Sequence, residues 1–296
     1  MARPESGPMA ERTRLATAGA HAAVVANLGR QPRGDLWRGR IFLGILLVAV
    51  GVALLGLVAV IAQSVIKGEP AFSTKLFTEG PSTFNPENAG FRPAIVGSLY
   101  LIAGVIFLIV PLGVGAAVYL EEYADKERWG NRVVELNIQN LAAVPSIIYG
   151  ILGLAFFVRG PFDLGFVVAA GSLTLALLVL PTVILAAREA IRAVPPSIRE
   201  GSLALGATQW QTIRRQVLPA SIPGIVTGVI LAVSRALGEA APLLLVGAAT
   251  FVTADQPNPF SGGYSAMPVQ IYNYALQPQD EFRVLAAAGV VVMLLV

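Results

Sequence analysis

The stretch IFLGILLVAVGVALLGLVAVIAQSVI, from Ile41 to Ile66, decides the class of this protein. It carries no charged side chain, and a spanning helix needs roughly 20 mostly apolar residues. Working outward from it, further apolar runs lie at Ala94–Leu120, Leu136–Val158, Leu164–Ala187, Ser221–Val246 and Arg283–Val296. The chain of 296 residues is 55% hydrophobic and 13% charged, whereas a soluble domain carries roughly 25% charged residues. Several separate apolar runs cannot share one soluble core of this size. A membrane removes that difficulty. The runs are continuous and not alternating, which selects helices over a barrel. The expectation is an all-α membrane protein with six transmembrane helices, near residues 41–66, 94–120, 136–158, 164–187, 221–246 and 283–296. The last run is short and stops in an apolar stretch, so the natural chain is expected to continue beyond it. Pro111, Pro145, Pro181 and Pro242 fall inside the runs and should bend their helices, either for packing or to shape a pathway.

Other chemistry is thin. The chain has no cysteine, which excludes disulfides and thiolate sites. Its one histidine, His21, lies in a polar tail, and no zinc cluster can form around it. The first 40 residues hold seven arginines with no early apolar core of a cleavable leader. Residues 1–40 are expected to be a basic, disordered cytoplasmic tail, and residues 41–296 the transmembrane domain. The net charge of +3 is concentrated in a few segments, which reads as orientation signalling and not as a nucleic-acid surface. The tail and the segment Arg188–Pro219, with Arg188, Arg192, Arg199, Arg214 and Arg215, are expected on the cytoplasmic side, together with the acidic loop Glu121–Glu135. The loops Lys67–Pro93 and Gly247–Phe282 are poorer in basic residues for their length and carry turn signals: Glu79-Gly80-Pro81, Asn85-Pro86, Gln256-Pro257-Asn258-Pro259 and Ser261-Gly262-Gly263. They are expected outside. Arg159, Asp163 and Arg188 stand at ends of runs and read as interface anchors that snorkel.

Between the fourth and fifth runs lies Arg199-Glu200-Gly201-Ser202-Leu203-Ala204-Leu205-Gly206-Ala207-Thr208, continuing to Val217-Leu218-Pro219. It reads as a cytoplasmic pair of short docking helices joined at Gly206, since glycine favours the left-handed conformation that ends a helix. Ser197 with Glu200 fits a capping box, and Pro219 is expected to stop the second helix. The spacing resembles the loop signature of ABC importer permeases (Glu-Ala-Ala, three residues, Gly, nine residues, Ile, one residue, Leu-Pro). Glu200, Gly206, Leu218 and Pro219 match in register, Gly201-Ser202 replace the alanine pair, and Gln216 departs at the isoleucine. The resemblance implies that Glu200, Gly201, Ser202, Gly206, Leu218 and Pro219 dock a separate ATPase. No Gly-x-x-x-x-Gly-Lys-[Ser/Thr] loop occurs in the chain, so ATP hydrolysis is expected on a partner and this chain is not expected to be an enzyme.

The fifth run contains Ser234-Arg235-Ala236-Leu237-Gly238-Glu239. Arg235 lies about 21 Å along the run at 1.5 Å per residue, near mid-membrane, where a charge costs ~2.5–3.5 kcal/mol on insertion scales. Glu239, four residues on, shares its helical face. The two residues either neutralise each other and fix packing, or line the pathway with Ser234. In the second reading the arginine fork suits a tetrahedral oxyanion, and the carboxylate accepts from a protonated phosphate oxygen.

Several segments carry a more specific resemblance: Ala94-Ile95-Val96-Gly97-Ser98-Leu99; Pro111-Leu112-Gly113-Val114-Gly115 through Tyr119-Leu120-Glu121-Glu122-Tyr123; Val144-Pro145-Ser146-Ile147-Ile148-Tyr149-Gly150; Arg192-Ala193-Val194-Pro195-Pro196-Ser197; and Arg235-Ala236-Leu237-Gly238-Glu239. The run Ala241–Leu244 and Met267-Pro268-Val269-Gln270-Ile271-Tyr272 add to them. Over residues 40–296 the chain resembles the permeases of bacterial phosphate-specific ABC importers, the PstA type more than the PstC type. The resemblance implies a multi-pass subunit of the bacterial inner membrane, with its N-terminus cytoplasmic, surrounded by membrane lipid. Its partners would be a second, PstC-like permease, two copies of an ATPase that holds ATP and Mg, and an extracytoplasmic phosphate-binding protein. No cofactor is implied on this chain itself. Two other readings stand beside it: the same machine with another oxyanion such as sulfate or molybdate, and an ion-coupled transporter, which would not need the docking loop. A membrane-embedded enzyme lacks a convergent catalytic set.

Overall fold

The structure, a computed structural model, describes residues 33–125, 127–248, 252 and 258–295. The basic tail through residue 32, His21, and Gln256 and Pro257 of the outer turn lie outside them. The chain divides into two units, residues 1–62 and 63–296. Helix α1, Arg33–Gly68, carries the apolar run that opens the sequence. Its most apolar window has no buried residue. A helix apolar on every face is at home only in hydrocarbon or in the core of an assembly.

The second unit is also α-helical. After a short helix α2, Lys75–Thr78, comes the long α3, Arg92–Val118, which runs on through a wider π turn at Tyr119–Tyr123. Then follow α4, Trp129–Ala142, α5, Ser146–Gly153, with a π turn to Val158, and α6, Val168–Arg192. The short α7, Pro196–Ala204, leads to α8, Gln209–Thr212, which passes through a π turn into α9, Leu218–Gly238. Helices α10, Ala241–Leu245, α11, Met267–Ala275, and α12, Asp280–Leu295, complete the described chain.

Six spans are not present among the described residues. Four helices are long and apolar enough to cross a membrane: Trp37–Ala71, Arg92–Tyr123, Val168–Arg192 and Gln209–Gly238. A fifth crossing is reached only by joining α4 to the segment Ser146–Val158, which meet at 103°. The third run breaks there because proline disfavours the α conformation in the residue before it; Pro145 itself sits extended at φ −55, ψ 137. The sixth run is a helix of 16 residues, about 24 Å long at 1.5 Å per residue, against the ~30 Å of a hydrocarbon core.

The expected docking helix pair is also corrected. Only α7 is a separate short helix; α8 belongs to one continuous helix from Gln209 to Gly238. Pro219 does not stop it. Proline removes a donor and its ring crowds the carbonyl four residues back, and the π turn at Ile213–Val217 widens the backbone at that point. Ser197 and Glu200 form no capping box, since α7 starts after Pro195 with no side-chain cap. The capping box is at Thr208 and Gln211, whose side chains each accept from the other's backbone N–H.

Helices α3, α6 and α9 form the core of this unit. Their approach depends on small residues, as in other membrane bundles. A Cβ on Gly104 would meet Ser172 Oγ at 2.6 Å, and one on Gly224 would meet Ala190 Cβ at 2.7 Å. The Ser172 hydroxyl donates to the Leu101 carbonyl at 3.2 Å. At the start of α3, Phe91 meets Tyr274 edge to face and Tyr274 stacks on Phe282, joining α11 and α12. Burial there pushes the Tyr274 phenol up to about 12, and its hydroxyl donates to the Gly90 carbonyl at 2.9 Å.

Candidate functional site

Helix α9 ends at Gly238, and Glu239 is already extended at φ −83, ψ 106. The cause lies four residues on: a helix continued through Pro242 would press its ring into the Gly238 carbonyl. The fifth run is therefore broken just where its charges sit. Arg235 is in the last turn of α9, and its Nε stands 3.5 Å from Glu239 Oε1. The arginine side chain is 44% exposed and the carboxylate 20%. This is a long, open ion pair. Ser234 is exposed one position earlier.

The break in α9 packs against the break between α4 and α5. A Cβ on Gly150 would meet Pro242 Cα at 2.7 Å, so the two interruptions touch through backbone. Tyr149, buried beside Gly150, donates its hydroxyl to the Leu141 carbonyl at 2.8 Å and ties the halves of the bent helix together. The arrangement is an arginine with free donor geometry, a neighbouring carboxylate and two non-helical backbone segments. Interrupted helices of this kind line cavities in transport proteins.

At the opposite end of the bundle, helix α7 and the start of α8 enclose a groove of about 400 Å³. Gly201 and Ser202 line it, facing Gln211 and Gln216; Gln216 is the position that departs from the loop signature. The Ser202 and Thr212 hydroxyls are 2.9 Å apart. Gly206 has φ +84, the left-handed turn that its glycine implied. Glu200 is exposed and outside the groove, Leu218 is half-buried and Pro219 exposed in the continuing helix.

One cluster escaped the sequence reading. Arg188 is not a snorkelling anchor: its side chain is 5% exposed, with Nη2 2.9 Å from Glu121 Oε1 and 2.8 Å from Glu135 Oε1. Arg192 reaches the same Glu121 oxygen at 2.6 Å, and Arg199 reaches Glu122 at 2.8 Å. The available signal was Arg188 within an apolar helix, because a charge there requires a partner. The partners lie more than 50 residues away in sequence, which spacing does not reveal. The Arg159 guanidinium lies 5.8 Å from the Phe166 ring centroid.

A family profile described as binding-protein-dependent transport system inner membrane component matches residues 109–296. The chain belongs to this family. It is a multi-pass permease subunit of an ABC-type importer, a multi-subunit machine, and ATP hydrolysis is not located on it. Among relatives of this permease is a protein of Yersinia pestis named phosphate transport system permease protein PstA. The two are 35% identical over 263 residues, covering 88% of this chain and 87% of that one. A protein of the same name from Haemophilus influenzae is 34% identical, over 86% and 88% of the two chains. Solved structures show the fold. The permease superposes on an inward-facing MetNI methionine ABC transporter with a TM-score of 0.52 at 18% identity, over 69% of this chain and 90% of that one. A bacterial ABC transporter for the acidic polysaccharide alginate gives 0.52 at 16%, over 86% and 95%.

Proposed function

We propose that this permease forms half of the membrane pathway for inorganic phosphate in an ATP-driven importer. The observation that carries the reading is Arg235 with Glu239 at a helix break, partly exposed and weakly paired. An ion pair built only for packing would be buried and short. This one leaves guanidinium donors open to an incoming oxyanion, while Glu239 accepts from the proton that phosphate retains at neutral pH and sulfate lacks. Ser234 adds a hydroxyl on the exposed side. The relatives named as phosphate transport permeases support the same solute.

The partners in this reading are a second homologous permease, two copies of an ATPase and an extracytoplasmic phosphate-binding protein. The ATPase meets α7 and its turn, through Glu200, Gly201, Ser202 and Gly206, with Leu218 and Pro219 behind them. The arginine-rich end of the bundle is then cytoplasmic, as is the N-terminal tail of residues 1–40. The test is competition in the complete importer. Unlabelled phosphate in excess should remove uptake of labelled phosphate, and sulfate or molybdate at the same concentration should leave it unchanged. Displacement by sulfate as effective as that by phosphate would overturn the assignment of solute.

A further inference from the structure

Helix α7 has no buried residue of its own. No apolar core fixes it to the bundle, so polar links must hold it. Arg199 supplies most of them. Its Nε and Nη2 donate to Glu122 Oε1 at 3.1 and 2.8 Å, Nη1 to the Val194 carbonyl at 2.6 Å and Nη2 to the Ile191 carbonyl at 2.9 Å. One guanidinium thus joins α7 to the end of α3 and to the last turn of α6. Gln209 donates to the Glu122 carbonyl at 2.6 Å, which adds the start of α8. The adjacent Glu121 holds Arg188 and Arg192 of α6, and Arg188 reaches Glu135 of α4. Glu121 is 4% exposed and Glu122 10%. Two consecutive glutamates on the π turn that ends α3 therefore bind α6 and α7 through their carboxylates and α8 through the Glu122 carbonyl, with α4 joined through Arg188.

We propose that Glu121 and Glu122 form a positioning hub that transmits movement of α7 to the spans α3 and α6, with Arg199–Glu122 as the connecting link. The inference rests on the reading that the ATPase meets α7. A push on that helix has two side-chain routes into the membrane: Ser202 with Thr212 reaches α8, which is continuous with α9, and Arg199 reaches α3 and α6 at once. Low exposure keeps these charge-assisted bonds strong and directional. The hub stays closed through the cycle and moves as one body.

The test uses the complete importer and takes advantage of a chain without cysteine. In Glu122→Ala the ATPase should co-purify as in the wild type and hydrolyse ATP at a similar rate. Phosphate moved per ATP should fall about tenfold, within the usual range of coupling between sites. A purely structural role would lower both rates together. In Glu122→Cys with Arg199→Cys, a short reducible thiol cross-linker should restore phosphate moved per ATP, and reduction of the same sample should remove it again. Wild-type coupling in Glu122→Ala, loss of the ATPase from that variant, or a cross-linked sample no better coupled than its reduced form would each overturn the hub. The docking reading is separated by Gly206→Val, which forces a β-branched residue to φ +84. That variant should insert normally and lose the ATPase; an ATPase that stays bound to it defeats the docking reading and leaves the Glu122 result to be judged on its own.

Discussion

Arg188→Met should lower the thermal midpoint of the solubilised subunit by roughly 10 °C. Arg188 holds Glu121 at 2.9 Å with both side chains about 5% exposed or less, and Glu135 at 2.8 Å. Removing one member of a buried pair costs ~3–5 kcal/mol when its partner is left alone; Glu121 keeps Arg192 at 2.6 Å, so the lower end, ~3 kcal/mol, applies. For a chain of this size each kcal/mol moves the midpoint by about 2–4 °C. Methionine keeps the apolar stem and much of the volume, so the loss reports the charge and its hydrogen bonds. Arg128→Met supplies the contrast. Its pair with Asp125 is 3.6 Å long, with side chains 80% and 56% exposed, and exposed pairs contribute ~1 kcal/mol or less. Thermal unfolding of the two variants side by side checks the account; equal midpoints would show that the buried cluster contributes nothing beyond surface charge.

Arg235→Gln combined with Glu239→Gln should leave the importer assembled and abolish phosphate uptake, by about a hundredfold or more. Hydrogen bonds to charged groups contribute ~1.5–3 kcal/mol each, and losing two such bonds to an oxyanion in transit amounts to about two orders of magnitude or more. The geometry argues that folding will tolerate the change. The pair is 3.5 Å apart and the arginine 44% exposed, so neither partner is left as a buried lone charge. Arg235→Lys should also be impaired, since it keeps the charge and loses the bidentate fork. Near-normal uptake by the double variant would show that the pair serves structure alone.

Class and family were legible because they depend on composition and local order. Apolar runs announce membrane helices wherever they stand, and Arg235 with Glu239 is visible as two charges in such a run. Topology was less legible because proline acts through its surroundings. Pro111 and Pro181 lie inside continuous helices, and Pro219 and Pro223 lie within the unbroken stretch Gln209–Gly238. Pro145 and Pro242 sit at breaks. Each removes the same donor. The outcome follows from the surroundings: a π turn precedes Pro219, and at Pro242 the turned chain packs closely against Gly150. Neither is written in the local sequence. The same holds for the Arg188 cluster, whose carboxylates arrive from α3 and α4, and for α7, whose attachment through Arg199 depends on a residue 77 positions away.

The most direct measurement is uptake of labelled phosphate into proteoliposomes holding this permease with its second permease, ATPase and binding protein, with ATP supplied to the ATPase side and all ion gradients collapsed by ionophores. Phosphate should accumulate with ATP and fail to accumulate when this chain is left out. Accumulation without the chain, or only when a proton or sodium gradient is restored, would contradict the assignment of this protein as half of an ATP-driven phosphate path.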